Sequence, residues 1–466
     1  MLKTRLIAPY QREGVDWMTK RDTSPSHPGG ILCDEMGLGK TVQVLATMVN
    51  NPKPKTLIVV PKSIMGQWAD EISKFTSFTT CSYSSTNHAL PTKLPDIVIV
   101  PYSVVARKPA LIQAITWDRI VLDEGHEIRT ASSKTHIACC ELKGSIRWIL
   151  TGTPVFNSMK DFVSLCAFLG LTKGEVLCFT TKVSTTYMLR RTKEDVCKFN
   201  PRLKLPPCDF ELTEIEMYAE ERVLYEAIYS RSQDFIKDVF KAGTQNMHNM
   251  EVLECLLRIR QCMAFPQLAL SGLAKKAGED AELYSGRSKK METLMELIKT
   301  HPKEKALVFT HFTGEMTKIK TMLEAEGIKT FCLSGSVHQL NREMEIRDFK
   351  AAASGVFIIQ IKAGGVGLNL QEATRVYITS PAWNPAVELQ AIARSHRTGQ
   401  TQKVVVRKLI YSGYDDLPSV EQSICALQAA KCKVCAEVLN DPRMEAQLPS
   451  SKGNLSIQTI KKIFNV

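Results

Sequence analysis

Short runs of β-branched and other apolar residues recur through the first third of the chain, with longer polar stretches between them. Within each run the apolar residues are consecutive, which is the pattern of strands that a sheet buries on both faces. Four such runs are LIVV at 57–60, IVIV at 97–100, RIVLDE at 119–124 and RWIL at 147–150. They predict a parallel β-sheet covered by helices.

A different periodicity begins near residue 173 and continues to about 285. Within it, TEIEMYAEERVLYEAIYSRSQDFIKDVF has apolar residues at roughly helical spacing, namely Met217, Leu224, Ile228, Phe235 and Val239. Such spacing places side chains on one face of a helix. This region is therefore predicted to be a helical insertion.

The strand pattern then resumes in four runs: ALVF at 306–309, VFII at 356–359, VYI at 376–378 and VVVRKLI at 404–410. After them, VEQSICALQAA predicts one more helix. The predicted fold class is α/β, with two parallel-sheet lobes and a helical insertion between them. The expected boundaries are 1–172 for the first lobe, 173–285 for the insertion, 286–425 for the second lobe and 426–466 for a C-terminal brace and tail.

Size and charge agree with this organisation and suggest a partner. A chain of 466 residues exceeds the ~250 to 300 residues at which single cores usually divide into domains. Lys and Arg number 60 against 48 Asp and Glu, which gives a net charge of +12. This surplus favours a polyanionic partner such as nucleic acid, although a basic surface can also serve solvation alone.

The cysteines and the lengths of the apolar runs indicate in which cellular compartment we expect the protein. The 14 cysteines are scattered, and only Cys432 and Cys435 have a metal-like spacing. Because no second Cys or His pair completes a four-ligand set, we expect no zinc site and a reducing environment. No signal peptide begins the chain, and no stretch of about 18 apolar residues could span a membrane. We therefore expect an intracellular protein without a membrane partner.

The segment ILCDEMGLGKT at 31–41 combines an apolar strand, a glycine-rich turn and the start of a helix. In this arrangement free backbone N–H groups and the positive end of the helix dipole converge on a phosphate. Gly37 and Gly39 would let the backbone approach the phosphates. Lys40 would neutralise the phosphates, and Thr41 would hold Mg²⁺. The segment predicts a nucleotide site.

Two further features of this segment are the residue at its first usual glycine position and the helix that follows the loop. Asp34 stands where most phosphate loops have their first glycine. The helix after the loop, VQVLATMV, is expected to bury a face formed by Val42, Leu45 and Val49.

VLDEGH at 121–126 supplies an acidic pair at the end of an apolar strand. Catalytic groups of parallel sheets lie outside the carboxyl ends of the strands. Asp123 would contact Mg²⁺, and Glu124 would orient and activate the attacking water. The alternative is an exposed Asp-Glu pair at a loop start, which the preceding phosphate loop in the same predicted sheet argues against.

QAIARSHRTGQ at 390–400 contains two arginines spaced by three residues. Arg394 and Arg397 would lie on one face if the segment is helical. Positive charge near the γ-phosphate stabilises the transition state of phosphoryl transfer. Two surface arginines on a helix are the alternative.

With these residues in place, the chain from Leu6 to about Leu427 resembles a Swi/Snf-type ATPase of helicase superfamily 2. Ten motifs occur in the order and spacing of that family: LIAPYQREGVDW, DEMGLGKT, TLIVVPKSIMGQW, DEGH, LTGTPVFN, LRRTKEDV, FTHF, KAGGVGLNL, WNPAVELQA and RSHRTGQ. The family likewise opens its phosphate loop with Asp-Glu. The resemblance implies two RecA-like lobes.

The resemblance also implies roles for individual residues. Gln11 would read the adenine edge, and Arg394 and Arg397 would be arginine fingers. The nucleotide-binding set is expected to comprise Gln11, Asp34, Gly37, Leu38, Gly39, Lys40, Thr41 and Gly367. Thr151 and Thr153 would couple hydrolysis to lobe movement.

Contacts with the DNA backbone are implied at three segments. The expected contact residues are Lys62, Ser63, Gln67, Lys362, Gly364, Gly365, Trp383 and Asn384. Backbone-directed binding is independent of sequence and sensitive to salt, which agrees with the basic surplus. For Trp383 a role as a core aromatic residue is an open alternative.

Several positions depart from the family pattern without removing a group that hydrolysis needs. Gly125 stands where Ala is common, and the other departures are Gln360, Ala382, Ala393 and Thr398. The order of the later motifs resembles most the branch with ring-finger-bearing fork remodellers. The cysteines between 173 and 300 lack the paired spacing of a ring finger.

The implied function is an ATP- and Mg²⁺-dependent, DNA-stimulated motor that translocates on double-stranded DNA and remodels protein–DNA complexes or DNA structures. The alternatives are a strand-separating DNA or RNA helicase and a non-hydrolysing DNA-binding scaffold. Nucleosomes and replication, repair or transcription complexes are candidate further partners. We expect a nuclear location in a eukaryotic cell and otherwise an intracellular one, with a virus-encoded origin as an alternative.

Overall fold

The computed structural model describes residues 8–84, 91–107, 110–152, 159–197, 205–244, 248–335, 339–361, 368–397, 399–439 and 463–464. The chain forms two compact units. The first extends to Leu205 and includes the end of the last long helix from Lys433, and the second extends from Pro206 to Cys432 and includes residues 463–464. No helix in the described ranges is both long and apolar enough to cross a membrane.

The first unit contains a seven-stranded parallel sheet with the order β3-β4-β2-β5-β6-β1-β7. Its strands are β1 Gly29–Leu32, β2 Thr56–Val60, β3 Thr80–Ser82, β4 Ile97–Pro101, β5 Trp117–Asp123, β6 Gly144–Leu150 and β7 Met188–Leu189. Its helices are α1 Pro9–Asp22, α2 Lys40–Asn50, α3 Met65–Phe75, α4 Tyr102–Val105, α5 Ala110–Ala114, α6 Lys134–Cys140, α7 Met159–Phe168, α8 Lys173–Cys178, α9 Thr180–Tyr187 and α10 Lys193–Cys197.

The register of this sheet brings the predicted catalytic segments to one edge. Every residue of β1, β2 and β4 is buried, because helices cover both faces of the sheet. Leu150 pairs with Leu32 on one side and with Asp123 on the other. The phosphate loop, the acidic pair and the segment after β6 therefore leave the sheet at the same level.

The second unit contains a six-stranded parallel sheet with the order β10-β11-β9-β12-β13-β8. Its strands are β8 Cys208–Ile215, β9 Lys305–Thr310, β10 Thr330–Leu333, β11 Gly355–Gln360, β12 Arg375–Ile378 and β13 Val404–Tyr411. Its helices are α11 Ala219–Lys241, α12 Asn249–Ala264, α13 Pro266–Ala277, α14 Lys289–Lys299, α15 Thr313–Ala325, α16 Gln339–Ala351, α17 Pro385–Ile392 and α18 Val420–Leu439, which extends into the first unit.

The predicted fold class is confirmed, because two parallel sheets with flanking helices are present. The eight apolar runs all fall in strands. Strands β3, β7, β8 and β10 were not predicted, and each is short, at a sheet edge, or both.

The segment 173–285, expected as an insertion of its own, is divided between the two units. Its first part, α8 to α10 with β7, belongs to the first unit, and β7 pairs with β1. Its second part begins with β8, which pairs with β13 over the whole length of both strands and is followed by α11 to α13. The observed boundary between units therefore lies at Leu205 and Pro206.

Helix α2 buries a wider face than the sequence predicted. Leu45 is buried as expected, but Val42 and Val49 are only half-buried, whereas Val44 and Met48 are buried. The helix packs on both α1 and α3, so that more than one stripe of side chains is covered.

Candidate functional site

The loop between β1 and α2 has the backbone geometry of an anion cradle. Gly37 and Gly39 adopt positive φ angles of 91° and 75°, a region that glycine enters at little steric cost. A Cβ added to Gly39 would lie 2.7 Å from Gln11 Nε2, so a larger residue would clash there. Gly39 caps α2 without a side-chain hydrogen bond, and the first helical turn carries no carboxylate. This described helix end is therefore open to a phosphate.

Lys40 and Thr41 occupy the first two positions of α2 and are half-buried. The Lys40 ammonium donates a hydrogen bond to the carbonyl oxygen of Asp34, 2.8 Å away. A Cβ added to Gly152 would come within 3.9 Å of Lys40 Nζ. The segment after β6 thus passes beside the lysine, and both cationic and hydroxyl groups stand at the open helix end.

Asp34 does not offer its carboxylate to a ligand. The side chain is fully buried, and both oxygens are bound by protein groups. Arg191 donates from Nε to Oδ1 at 2.9 Å and from Nη2 to Oδ2 at 2.5 Å, and Gln43 Nε2 donates to Oδ2 at 3.0 Å. The Asp34 carboxylate therefore holds the loop, and the expected contact of Asp34 with the nucleotide stays a prediction for its backbone.

The predicted adenine residue lies against the phosphate loop. Gln11 is buried at the start of α1, and its Nε2 lies 3.5 Å from the carbonyl oxygen of Leu38, to which the Tyr10 hydroxyl also donates at 3.0 Å. The Leu38 side chain is buried with Ala8, Tyr10 and Val196. Leu38 therefore anchors the loop to the protein through its carbonyl oxygen and its buried side chain.

The acidic pair lies at the end of β5, where Asp123 is the last strand residue and Glu124 follows it. Asp123 Oδ2 accepts a hydrogen bond of 2.7 Å from the indole Nε1 of Trp68, and Oδ1 accepts one of 2.8 Å from the backbone N–H of Glu124. The hydroxyl of Tyr102 donates to the Asp123 carbonyl oxygen at 2.8 Å. These contacts fix the carboxylate at the edge of the sheet.

Burial shapes the electrostatics of this pair. Burial first, and then the charge of Glu124, raise the pKa of Asp123 to about 6, while the Trp68 hydrogen bond and the charge of Lys40 oppose the shift. Glu124 has a left-handed backbone with φ of 50°, and its Oε2 lies 3.3 Å from His126 Nδ1. A Cβ at Gly125 would lie 2.3 Å from Ile149 Cγ2, so a larger residue would force Ile149 to move.

The DNA contacts expected in the first unit lie on its surface. Lys62 and Ser63 belong to a short 3₁₀ turn, Lys62–Ile64, and Gln67 follows in α3. All three side chains are exposed, whereas Trp68 on the same helix is buried and reaches Asp123. One helix thus joins an exposed polar face to the acidic pair.

Thr151 connects two strand ends. Its side chain is buried, and its backbone N–H donates to the carbonyl oxygen of Leu32 at 3.2 Å. Thr151 therefore lies level with the start of the phosphate loop. Thr153, its expected companion in coupling, lies outside the described residues.

In the second unit the two predicted arginines follow α17, which ends at Ile392, and do not share a helix face. Arg394 is buried in a turn, and its carbonyl oxygen accepts a hydrogen bond of 2.9 Å from Leu370 N–H. Arg397 Nη1 donates to the Leu368 carbonyl oxygen at 3.3 Å. Leu368 and Leu370, at the end of KAGGVGLNL, are thereby brought together with the two arginines, although the helical arrangement considered from sequence is not formed.

Trp383 and Asn384 have structural contacts of their own. Trp383 is half-buried against the second unit's core, with the Arg260 guanidinium 5.2 Å from its ring centroid. Asn384 caps α17, because its Oδ1 accepts a hydrogen bond of 2.9 Å from Ala386 N–H. Part of each side chain remains accessible.

Several predictions fall on residues that the structure does not describe. These are the nucleotide contact Gly367 and the DNA contacts Lys362, Gly364 and Gly365. The side chains of Cys432 and Cys435 are likewise outside the described part, so the expectation of no zinc there stays a prediction.

Sequence reasoning missed four side chains that organise these segments: Trp68, Arg191, Arg260 and Gln400. Gln400 ends the RSHRTGQ motif and donates from Nε2 to the Gln371 carbonyl oxygen at 2.7 Å. Trp68, Arg191 and Gln400 each lie within a motif, and that was the available signal. Arg260 lies in no motif, and its contact with the distant Pro381 becomes visible only in the folded chain.

Two models of known protein families match this chain. A family model described as the SNF2-related domain matches residues 10–179 and 177–268. A second, described as the helicase conserved C-terminal domain, matches residues 289–399. The first model alone covers more than half of the chain, and it includes the phosphate loop and the acidic pair.

Curated relatives agree over nearly the whole sequence. A "Probable global transactivator" of Orgyia pseudotsugata multicapsid polyhedrosis virus is 26% identical, with 99% of this chain and 94% of the relative covered. An "Uncharacterized ATP-dependent helicase" of Mycoplasma pneumoniae is 30% identical over 94% of this chain, and "DNA repair protein RAD5B" of Arabidopsis thaliana is 26% identical over 90%. The chain spans 42% and 46% of the lengths of these last two proteins.

Proposed function

The chain belongs to the SNF2-related family of ATP hydrolases, and from this premise we propose that it is a motor that translocates on double-stranded DNA and thereby remodels protein–DNA complexes or DNA structures. The contact that carries this proposal is the 2.7 Å hydrogen bond from Trp68 Nε1 to Asp123 Oδ2. It joins an exposed polar helix face directly to a carboxylate of the hydrolytic site.

The nucleotide would lie at the open N-terminus of α2. Gly37 and Gly39 leave room for phosphate oxygens, and the first backbone N–H groups of the helix would donate to them. Lys40 would keep its hydrogen bond with the Asp34 carbonyl and donate its remaining hydrogens to the β- and γ-phosphates, since an ammonium has three donors. Gln11, beside Leu38, is placed to read the adenine edge.

Magnesium fits the donors at this edge. The hydroxyl of Thr41 and the carboxylate of Asp123 are hard oxygen ligands, of the type that Mg²⁺ prefers. When bound, the ion neutralises charge on the phosphoryl oxygens. Trp68 and the Glu124 N–H hold the Asp123 carboxylate in place for this role.

Glu124 would orient and activate the attacking water. Its backbone is left-handed, and its Oε2 lies 3.3 Å from His126 Nδ1. Arg394 and Arg397 are proposed to supply positive charge from the second unit during phosphoryl transfer. Their turns are held by contacts with Leu370 and Leu368.

Double-stranded DNA is the proposed polymer. The exposed Lys62, Ser63 and Gln67 would contact backbone phosphates, and so would Trp383 and Asn384 in the second unit. The net charge of +12 supports a polyanionic partner, and one relative is named as a DNA repair protein. Binding to nucleosomes or to repair and transcription complexes, and a nuclear location, stay predictions.

The decisive measurement is phosphate release with no nucleic acid, with duplex DNA, with single-stranded DNA and with single-stranded RNA. We expect duplex DNA to raise the rate several-fold. Lys40→Ala and Glu124→Gln should lower it by about 100-fold or more. Glu127→Gln is the matched control, because its 48% exposed side chain lies in the same 3₁₀ turn as His126. Equal stimulation by single-stranded RNA would contradict a duplex-DNA motor.

Translocation is tested separately from hydrolysis. A motor that tracks along the duplex should displace the third strand of a DNA triplex while hydrolysing ATP. Release of one strand from a partial duplex at a similar rate would favour the strand-separating helicase instead. Undetectable phosphate release at saturating DNA would favour the non-hydrolysing scaffold.

A further inference from the structure

Arg191 lies between β7 and α10 and makes the densest set of polar contacts around the phosphate loop. Its Nε and Nη2 bind the two oxygens of Asp34 at 2.9 and 2.5 Å, and Nη2 also donates to Gln43 Oε1 at 2.7 Å. Nη1 donates to the Tyr10 carbonyl oxygen, and the guanidinium lies 5.2 Å from the Tyr10 ring centroid. One side chain therefore joins α1, the phosphate loop and α2.

Asp34 connects Arg191 to Lys40, the lysine of the phosphate loop. The Asp34 carboxylate is fully buried, so its position is determined by its partners Arg191 and Gln43. The carbonyl oxygen of the same residue accepts the hydrogen bond of Lys40 Nζ. A shift of the Asp34 backbone would therefore move the acceptor that orients Lys40.

The Tyr10 end reaches the predicted adenine segment. Tyr10 and Gln11 both contact the Leu38 carbonyl oxygen, and Tyr10 and Leu38 pack with Val196 of α10. Arg191 thus contacts Asp34 beside the proposed phosphate site and Tyr10 beside the proposed adenine site. It has no described contact in which its own guanidinium faces the open end of α2.

The backbone around Arg191 is fastened to the same loop. Cys33 N–H donates to the Leu189 carbonyl oxygen at 2.7 Å, and Glu35 N–H donates to the Arg191 carbonyl oxygen at 2.9 Å. The N–H of Lys193 donates to Glu35 Oε2 at 2.8 Å. Hydrogen bonds therefore connect residues 189–193 to residues 33–35 at the start of the phosphate loop.

We propose that Arg191 is a positioning residue for ATP hydrolysis, which sets the phosphate loop and the adenine segment in one geometry through Asp34 and Tyr10. Its effect is expected in the turnover number more than in the affinity for ATP. Backbone N–H groups of the loop would still bind phosphates after a small shift, whereas the alignment of Lys40 with the reacting group would be lost. This proposal rests on ATP hydrolysis and not on DNA translocation.

The test is Arg191→Lys, which keeps a positive charge beside Asp34 but cannot form the paired bonds. Without DNA, we expect kcat to fall by about tenfold or more and KM for ATP to change by less than about threefold. Lys182→Met is the control, because Lys182 is exposed on α9, the helix that leads into β7. That control should stay within about twofold of the wild type.

A second variant keeps the outcome decisive. Asp34→Asn should lose kcat to a similar degree, and combining it with Arg191→Lys should add little, because the two residues act as one unit. Unchanged kcat in either single variant, additive losses in the double variant, or an equal loss in Lys182→Met would overturn the proposal. If Arg191→Lys does not fold, Asp34→Asn decides alone by the same criterion. Loss of DNA stimulation in the wild type would refute the duplex motor without affecting this result.

Discussion

At the scale of single residues, Trp68 both fills buried space and makes a polar contact, and the sequence alone does not reveal the second role. Its ring is buried among the apolar side chains of the first unit, and its indole N–H binds Asp123 Oδ2. A hydrogen bond to a charged group contributes roughly 1.5 to 3 kcal/mol, about twice the value between neutral groups. A bound polymer that moves α3 would therefore also displace the Asp123 carboxylate.

The substitution Trp68→Phe removes the indole N–H and keeps an aromatic ring. We expect the ratio of DNA-stimulated to basal ATP hydrolysis to fall close to one, because the link between α3 and Asp123 is lost. Steady-state phosphate release with and without duplex DNA measures this ratio.

Trp17→Phe is the control for this measurement. Trp17 belongs to the same unit and packs edge-on against Trp148, with ring centroids 5.5 Å apart. It should retain the wild-type ratio. A wild-type ratio in Trp68→Phe would show that the indole hydrogen bond does not carry DNA stimulation.

At the scale of elements, the loop between β12 and α17 is held from three helices. Arg260 of α12 donates from Nη2 to the Pro381 carbonyl oxygen at 2.9 Å. Gln428 of α18 donates to the Ala382 carbonyl oxygen at 2.5 Å, and Glu388 of α17 accepts from Ala382 N–H at 2.7 Å. Helices outside the sheet therefore determine how the loop presents Trp383.

Arg260→Met tests this element-level support. The methionine can fill much of the apolar space but cannot bind Pro381 or stack on Trp383. We expect the duplex-DNA concentration for half-maximal stimulation to rise about five- to tenfold, with basal hydrolysis unchanged. A DNA titration of the ATPase rate gives both quantities.

The matched variant is Arg258→Met on the same helix. Arg258 binds Gln261 at 2.8 Å and Glu254 at 3.1 Å and makes no described contact with the 380–384 loop. It should leave the DNA titration unchanged. Equal shifts in the two variants would indicate a general effect on α12 and not support of the loop.

At the scale of the whole molecule, the sequence predicted what local pattern controls. Buried strands such as β2 and β11 have consecutive apolar residues, and the glycine-rich turn identified the nucleotide loop. Strand β8 escaped prediction because it lies at a sheet edge and exposes Phe210 and Leu212. A motif marks Arg191 in the sequence, but its contact with Asp34 was not predictable, since the two residues are 157 positions apart and no local pattern encodes that pairing.

The same limitation applies to the chain near its end. The sequence after residue 426 offered no pattern beyond one helix, yet Ile463 and Phe464 are buried in the second unit's core. The Tyr229 hydroxyl donates to the Ile463 carbonyl oxygen at 2.9 Å, across a separation of 234 residues. The core of the second unit is therefore completed by residues that only the folded molecule brings together.

Phe464→Ala should destabilise the second unit by about 3 to 5 kcal/mol, because a fully buried ring that stacks on Tyr229 at 5.5 Å is replaced by a cavity. Hydrogen exchange should accelerate in α11, where Tyr229 and Gln233 contact residues 463–464, and much less in the first unit. Val223→Ala, with its side chain 68% exposed on α11, is the control and should change stability by less than about 0.5 kcal/mol. Equal denaturation midpoints for the two variants, or acceleration confined to the first unit, would contradict a structural role for Phe464 in the second unit.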